Sequence, residues 1–270
     1  MSDDMDRLLR RGSEEPRIKD ADLYETVEEV FDSSTVLTIV SLIRKRVLKR
    51  LAGVVSAGKE ARVYLGYAPD GRPLAVKIYL TSSAEFRRGI LKYIMGDPRF
   101  QRAKLSDTRS IIYAWTRKEY RNLVRMKEAG VKVPQPVAFL NNVLVMEFLG
   151  EDGRRYPLLE EAYRDLEAVE LESIYTLALE ELEKIVCKAK LVHGDFSEFN
   201  IMVKPDLDVA VIDVSQAVDH SHPNARDFLE RDVRNINRFF KNEAKINVLS
   251  EEEVLEGLLR CLERRRVGSS

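Results

Sequence analysis

Three residues in the second half of the chain carry the strongest chemical signal. The run Val192-His193-Gly194-Asp195-Phe196-Ser197-Glu198-Phe199-Asn200 sets an aspartate and an asparagine five positions apart (200 − 195) on a loop bounded by β-prone residues. Further on, Val209-Ala210-Val211-Ile212 runs into Asp213. Phosphoryl transfer to a hydroxyl asks for this set: a carboxylate near the acceptor O–H, and Asn and Asp oxygens to hold Mg²⁺ on the phosphates. A polar loop can carry an Asp and an Asn by chance, but two upstream residues argue against it. Lys77 interrupts the apolar strand Leu74-Ala75-Val76-Lys77-Ile78-Tyr79, and an inward ammonium needs a carboxylate or phosphate partner. Glu119, on a predicted helix, is the best partner; an edge-strand Lys in water is the plainer alternative.

Gly53-Val54-Val55-Ser56-Ala57-Gly58-Lys59-Glu60 nearly matches the phosphate-binding pattern G-x-x-x-x-G-K-[ST]. The match fails on context. Glu60 has no hydroxyl for Mg²⁺, and the strand Ala61-Arg62-Val63-Tyr64-Leu65 follows where a helix N-terminus should face the phosphates. A Gly loop between two strands still covers phosphates, because Gly58 lets backbone N–H groups approach closely and Ser56 adds a hydroxyl. Most such loops are only turns. In Val145-Met146-Glu147-Phe148-Leu149-Gly150 a strand passes into a helical region, a hinge whose backbone can meet an adenine with Met146 lining the back.

The elements that must position these groups follow from periodicity. Val36, Val40, Ile43, Val47 and Leu51 predict one helix from Ser34, with Arg44, Lys45, Arg46, Lys49 and Arg50 off its apolar stripe. Such a basic run can meet phosphate or RNA, and more often is a solvated face. Ala61 to Tyr67 and Pro73 to Leu80 flank the turn Pro69-Asp70-Gly71 and predict a hairpin. A helix is expected from about Trp115 to Ala129, closed by Gly130, then a hairpin around Asn141-Asn142. After Leu149-Gly150 the pattern turns helical over 157–190 and 224–241, and Ser250 with Glu253 makes a capping box for a last helix.

Lys plus Arg (44) against Asp plus Glu (45) leaves a net charge of −1, so no global field marks a nucleic-acid coat. Cys187 and Cys261 form no metal-ligand spacing and read as buried free thiols in a reducing compartment. Residues 1–20 lack an apolar signal core, and no run approaches the roughly eighteen apolar residues of a spanning helix, so a soluble cytoplasmic protein with no membrane is expected. High charge with few Gln is a compositional cue to a thermophile.

With these residues in place the chain resembles the kinase-like superfamily and, within it, the RIO family of atypical serine/threonine protein kinases. Ser56-Ala57-Gly58-Lys59-Glu60-Ala61 is similar to the RIO phosphate loop, and Lys118-Glu119-Tyr120-Arg121-Asn122-Leu123 to the helix bearing its ion-pair Glu. His193-Gly194-Asp195 with Asn200, and Ile212-Asp213-Val214-Ser215-Gln216, resemble its catalytic and metal loops. His220-Ser221-His222-Pro223 resembles the first RIO subfamily in its short, archaeal-like form; residues 1–50 leave little room for the winged helix of the second. The similarity covers roughly residues 33–242.

The resemblance implies an α+β, bilobal protein-kinase-like fold without the usual activation segment. A charged tail would occupy 1–32, a β-rich N-lobe 33–149 and a mainly helical C-lobe 150–270. It implies Asp195 as catalytic carboxylate, Asn200 and Asp213 as metal ligands, and ATP bound by Ser56, Gly58, Lys59, Lys77 and Glu119 and by a hinge of Met146, Glu147 and Leu149. Asp213 would also accept phosphate in an ATPase-like cycle. The cofactors implied are ATP and Mg²⁺, with Mn²⁺ as a substitute, and the partner is a pre-ribosomal small-subunit particle of protein and rRNA.

Gly194 replaces the usual Arg before the catalytic Asp, and no A-P-E-like segment follows Asp213, which puts peptide phosphorylation in question more than ATP binding. Lys77 and Glu119 lie 42 apart (119 − 77), so Thr81 to Ser110 is expected to form a mobile flap, made basic by Arg87, Arg88, Lys92, Arg99, Arg102 and Lys104. His220 and His222 read as turn or packing residues. Two alternatives stay open. A small-molecule phosphotransferase of the aminoglycoside or choline kinase type shares His-Gly-Asp-x-x-x-x-Asn but needs a larger helical second half than the 57 residues (270 − 213) after Asp213. An ATP-gated binding module would need ATP but not Asp195.

Overall fold

The computed structural model describes residues 32–80, 84–100 and 107–263. The charged tail expected over 1–32 lies outside them up to residue 31, as do Arg102 and Lys104 of the basic flap.

Helix α1 (Ser33–Arg44) is capped by the Asp32 carboxylate, which accepts from Thr35 N–H at 2.8 Å. It precedes β1 (Arg50–Ala57), β2 (Ala61–Tyr67) and β3 (Pro73–Tyr79). Helices α2 (Ala84–Ile94) and α3 (Thr108–Glu128) come next, then β4 (Pro136–Leu140) and β5 (Val143–Glu147). The five strands form one antiparallel sheet in the order β1-β2-β3-β5-β4. Period-two alternation on β3 decides what faces the cleft. Val76 and Ile78 pack under α1 with Ile39, Leu42, Val143 and Val145, so Ala75, Lys77 and Tyr79 point the other way, toward α3.

The first helix stops short of the expected stripe. It ends at Arg44, Arg46 takes φ 57°, and Leu51 is already in β1. Leu48, 1% exposed, folds back onto the sheet beside Gly66, where a Cβ would stand 2.8 Å from Val76 Cγ2 and 3.3 Å from Leu48 Cδ2. Packing of Leu48 therefore outweighs continuation of the helix. The five cations Arg44, Lys45, Arg46, Lys49 and Arg50 are left exposed around the turn.

Helix α3 starts about two turns earlier than expected, at a capping box between Asp107 and Ser110, because Ile111, Ile112 and Ala114 join Trp115 in the core. The described part of the flap is not loose: Ile90, Tyr93, Ile94 and Phe100 are buried in the main core.

A small ribbon, β6 (Gly150–Glu151) with β7 (Arg154–Arg155), leads into the helical half. There α4 (Leu159–Ala162) and α5 (Ala168–Glu183, continued by a π turn at Lys184–Lys188) precede the short strands β8 (Leu191–Val192), β9 (Ile201–Val203), β10 (Val209–Val211) and β11 (Val218–Asp219). Helix α6 (Ala225–Asn242) buries Phe228, Leu229, Val233, Ile236 and Phe240 as its periodicity predicts. Helix α7 (Glu251–Glu263) opens with Ser250 and Glu253 capping each other. The expectation of free thiols is overturned: Cys187 and Cys261 are joined, with Cα atoms 5.0 Å apart. Packing of α7 on the π turn brings together two residues 74 positions apart, a proximity that sequence spacing does not encode. Among the described residues no helix is long and apolar enough to cross a membrane.

Candidate active site

The sheet, α3 and the β8–β11 loops converge on a cleft of about 350 Å³. Lys77 is 6% exposed and donates Nζ to Glu119 Oε1 and to Asp213 Oδ1, each at 2.9 Å. Burial disfavours its charge, but Asp213 and Glu119 together lift the ammonium well above the usual lysine value. Glu119 also accepts from the Tyr79 hydroxyl. Burial, with the Asp213 charge adding, raises Glu119 despite Lys77. Asp213 stands in the left-handed region (φ 51°, ψ 63°), a strained backbone of the kind held at functional sites, and presents 46% of its side-chain surface to the cleft. Burial pushes its carboxyl up, but the Lys77 charge and hydrogen bond, joined by Ser215 Oγ at 2.8 Å, hold it below the ordinary value.

Asp195 lies beside this pair. Asn200 Nδ2 donates to Asp195 O (2.8 Å) and Oδ2 (3.2 Å), and Gln216 Nε2 donates to the same Oδ2 (3.1 Å). Burial and the Asp213 charge raise the Asp195 carboxyl, which suits a group that takes up a proton. Because the Asn200 amide nitrogen is spent on Asp195, its oxygen is the group left for a cation. One Asn and one Asp oxygen, completed by phosphate oxygens and water, fit Mg²⁺, which takes few protein ligands. The loop is fixed from beneath by Asp232, 0% exposed, whose oxygens accept from Gly194 N–H (2.8 Å) and Phe196 N–H (2.9 Å). Burial lifts Asp232 to about 7. Gly194 is needed for its φ of +79°, where a Cβ would stand 3.3 Å from Gln216 O. His193, fully buried, is held neutral, its pKa lowered to about 4 by burial.

Of the other residues singled out, Ser56, Gly58, Lys59, Met146, Glu147 and Leu149 line the cleft. Glu119 stands behind Lys77, outside the lining. The Leu149 carbonyl accepts from Tyr156 N–H at 3.0 Å, and its own N–H has no hydrogen bond among the described residues. The N–H of Gly58 itself is turned into the loop, onto Ala61 O at 2.9 Å, where it shapes the turn. His222 is a packing residue as read, stacked on Phe228 with Nε2 3.0 Å from Met95 O.

Sequence reasoning missed Asp232 and named Ser215, Gln216 and Glu60 only within motifs, without a role, although Glu60 lines the cleft and burial, with the Asp213 charge, raises its carboxyl. It also gave no role to Lys118 and Asn122, quoted only within the helix motif. The available signal was their i, i+4 spacing beside the buried Trp115 and Leu123, polar residues on an inward helix face.

A model of the RIO domain family matches residues 62–254. Over 248 residues the chain is 38% identical to the RIO-type serine/threonine-protein kinase Rio1 of Haloferax volcanii, covering 89% of this chain and 82% of that protein. It is 39% identical over 241 residues to the serine/threonine-protein kinase RIO1 of Caenorhabditis elegans, of whose length it spans 46%. In fold it is similar to the Rio2 kinase of Chaetomium thermophilum solved as an ADP/Mg²⁺-phosphoaspartate complex, with a TM-score of 0.61 at 20% identity over 86% of this chain and 70% of that one. Strand, helix and loop residues that meet around Lys77, together with this similarity along most of its length, show that the chain belongs to the RIO family and is a RIO-type serine/threonine protein kinase of the Rio1 kind.

Proposed function

We propose that this kinase transfers the γ-phosphoryl group of ATP in a Mg²⁺-dependent reaction, and the observation that carries the reading is Lys77 Nζ at 2.9 Å from both Glu119 and Asp213. In this reading Lys77 meets the phosphates, Ser56 and Lys59 of the β1–β2 turn cover them, and Met146, Glu147 and Leu149 receive the adenine. Asn200 and Asp213 hold Mg²⁺, which neutralises charge on the phosphates when bound; Mn²⁺ has the same ligand preferences. Asp195 receives the proton of a serine hydroxyl as its oxygen bonds the γ-phosphorus and ADP departs.

A second outcome has its own support. Asp213 Oδ1 is bound by Lys77 and Ser215, while much of the carboxylate faces the cleft, which supports the other oxygen as the nucleophile toward phosphorus. The similar Rio2 structure carries a phosphoaspartate. Phosphate would then pass from ATP to Asp213, with ADP leaving, and from Asp213 to water.

Purified protein given γ-labelled ATP separates the two. Label resistant to hydroxylamine and lost in Asp195→Ala supports the serine kinase; label sensitive to hydroxylamine and lost in Asp213→Asn supports the ATPase cycle. No label and no ADP from the wild type overturns both.

The proposed setting is the cytoplasm and the proposed partner a pre-ribosomal small-subunit particle. Supporting it, Arg44, Lys45, Arg46, Lys49 and Arg50 are exposed and none has an ion-pair partner among the described residues. Arg50 lies over the Tyr67 ring, its guanidinium carbon 4.2 Å from the ring centre.

A further inference from the structure

Helix α3 does more than carry Glu119. One turn apart on its inner face, Lys118 and Asn122, both 0% exposed, reach past Asp213 to the main chain that follows it. Lys118 Nζ donates to the carbonyls of Ser215 (2.8 Å) and Ala217. Asn122 Nδ2 donates to Val214 O (2.7 Å) and Ala217 O (3.0 Å). Arg99 braces Asn122 from behind, giving Nη1 to its Oδ1 at 2.7 Å while the buried Asp97 accepts from Arg99 Nη2 at 2.6 Å.

The carbonyls so held belong to the 3-10 turn Val214–Gln216 and its cap Ala217. Val214 O accepts one internal bond, from Ala217 N–H at 3.2 Å, and the carbonyls at the end of so short a turn otherwise depend on outside donors. On the opposite side of this turn, Ser215 Oγ donates to Asp213 and Gln216 Nε2 to Asp195. Lys118 has no carboxylate at ion-pair distance among the described residues, so charge pairing is not its task. Burial, with Arg99 adding, pulls it well below the usual lysine value, and in either protonation state its nitrogen has N–H donors enough for the two carbonyls. Burying a lysine for two main-chain bonds is costly, and what it secures is the position of that loop.

We propose that Lys118, together with Asn122, is a positioning residue: it fixes the Val214–Ala217 main chain so that Ser215 and Gln216 orient Asp213 and Asp195 for Mg²⁺ and substrate. The proposal rests on the reading of Asp213 as a metal ligand.

The test is ADP affinity by calorimetry, in EDTA and in Mg²⁺, for the full chain, Lys118→Met, Ser215→Ala and Asp213→Asn. Affinity in EDTA is expected to stay within about twofold in Lys118→Met and Ser215→Ala. The tightening by Mg²⁺ should shrink roughly tenfold in Lys118→Met, about 1.4 kcal/mol, by severalfold in Ser215→Ala, and vanish in Asp213→Asn. A lowered Tm in Lys118→Met with the Mg²⁺ tightening intact would show a merely structural lysine and overturn the proposal. Should Lys118→Met fail to fold, Ser215→Ala decides, and an unchanged ratio there overturns it as well. If Asp213→Asn keeps the full tightening, the metal reading itself fails; if only the other two keep it, the metal reading stands and the positioning role alone is lost.

Discussion

Replacing Lys77 by methionine strands two carboxylates at the centre of the molecule. Removing one partner of a buried ion pair destabilises by about 3–5 kcal/mol, because the remaining charge is left without compensation. Only Glu119, 1% exposed, is fully stranded here; Asp213 keeps 46% of its side chain open to the cleft, where water screens it. The lower end, about 3 kcal/mol at neutral pH, is therefore expected, a fall in Tm of roughly 6–12 °C at about 2–4 °C per kcal/mol for a domain of this size. The pH dependence fixes the cause. Glu119 is raised in the fold already and rises further without Lys77. A carboxyl whose folded pKa exceeds its unfolded value binds more protons when folded, so its penalty is present at high pH and fades as pH falls through the folded pKa. Calorimetry from pH 8 to 5 should show the Lys77→Met deficit shrinking on acidification, and Lys77→Met/Glu119→Gln should recover much of it. A deficit below about 1 kcal/mol, or one independent of pH and of Glu119→Gln, would refute the reasoning.

Asp195→Ala should lower turnover by roughly 10²–10⁴-fold while ATP affinity stays near wild type, measured by steady-state ADP release; unchanged turnover would remove Asp195 from the chemical step. Asp219 is held at about 2, where burial opposes the shift and the Arg125 hydrogen bond at 2.8 Å drives it. Its folded pKa lies below the unfolded value, so it stabilises above about pH 4 and loses that as pH falls toward 2. Arg125→Met should thus lose about 1–2 kcal/mol at pH 7 in urea unfolding, with the gap to wild type closing below about pH 4; a constant gap would mean that Arg125 acts through packing. Arg46→Glu with Lys49→Glu should weaken binding of a single-stranded RNA and flatten its log affinity against log salt by about 0.7 per lost phosphate contact, leaving ATP turnover intact. Equal RNA affinity in that variant would remove this surface from the account.

Legibility in the sequence followed the nature of each constraint. That Lys77, Glu119, Asp213, Asn200 and Asp195 would meet was readable because phosphoryl transfer, the proposed reaction, asks for these side-chain types and the chain supplies them in order. Strand β3 was readable as an apolar run set off by turn residues, and α6 because burial of one face imposes a period. The Cys187–Cys261 bond was not, since 74 intervening residues say nothing about which helices touch. Neither was the early end of α1, decided by the packing of Leu48 against the sheet. The Lys118 and Asn122 contacts are invisible for a different reason: their partners are carbonyls of Val214, Ser215 and Ala217, and every residue has a carbonyl. The same holds for Gly58, whose glycine was legible but whose N–H direction was set by the turn.

The central claim is that Asp195, Asn200 and Asp213, assembled on Lys77, perform the chemical step. A rapid-quench single turnover of γ-labelled ATP with enzyme in excess measures that step directly, for the wild type, Asp195→Ala and Asn200→Ala in the presence and absence of Mg²⁺. The account predicts a Mg²⁺-dependent loss of ATP in the wild type, slowed by roughly 10²-fold or more in each variant with the nucleotide still bound. Equal single-turnover rates in the wild type and both variants would contradict it.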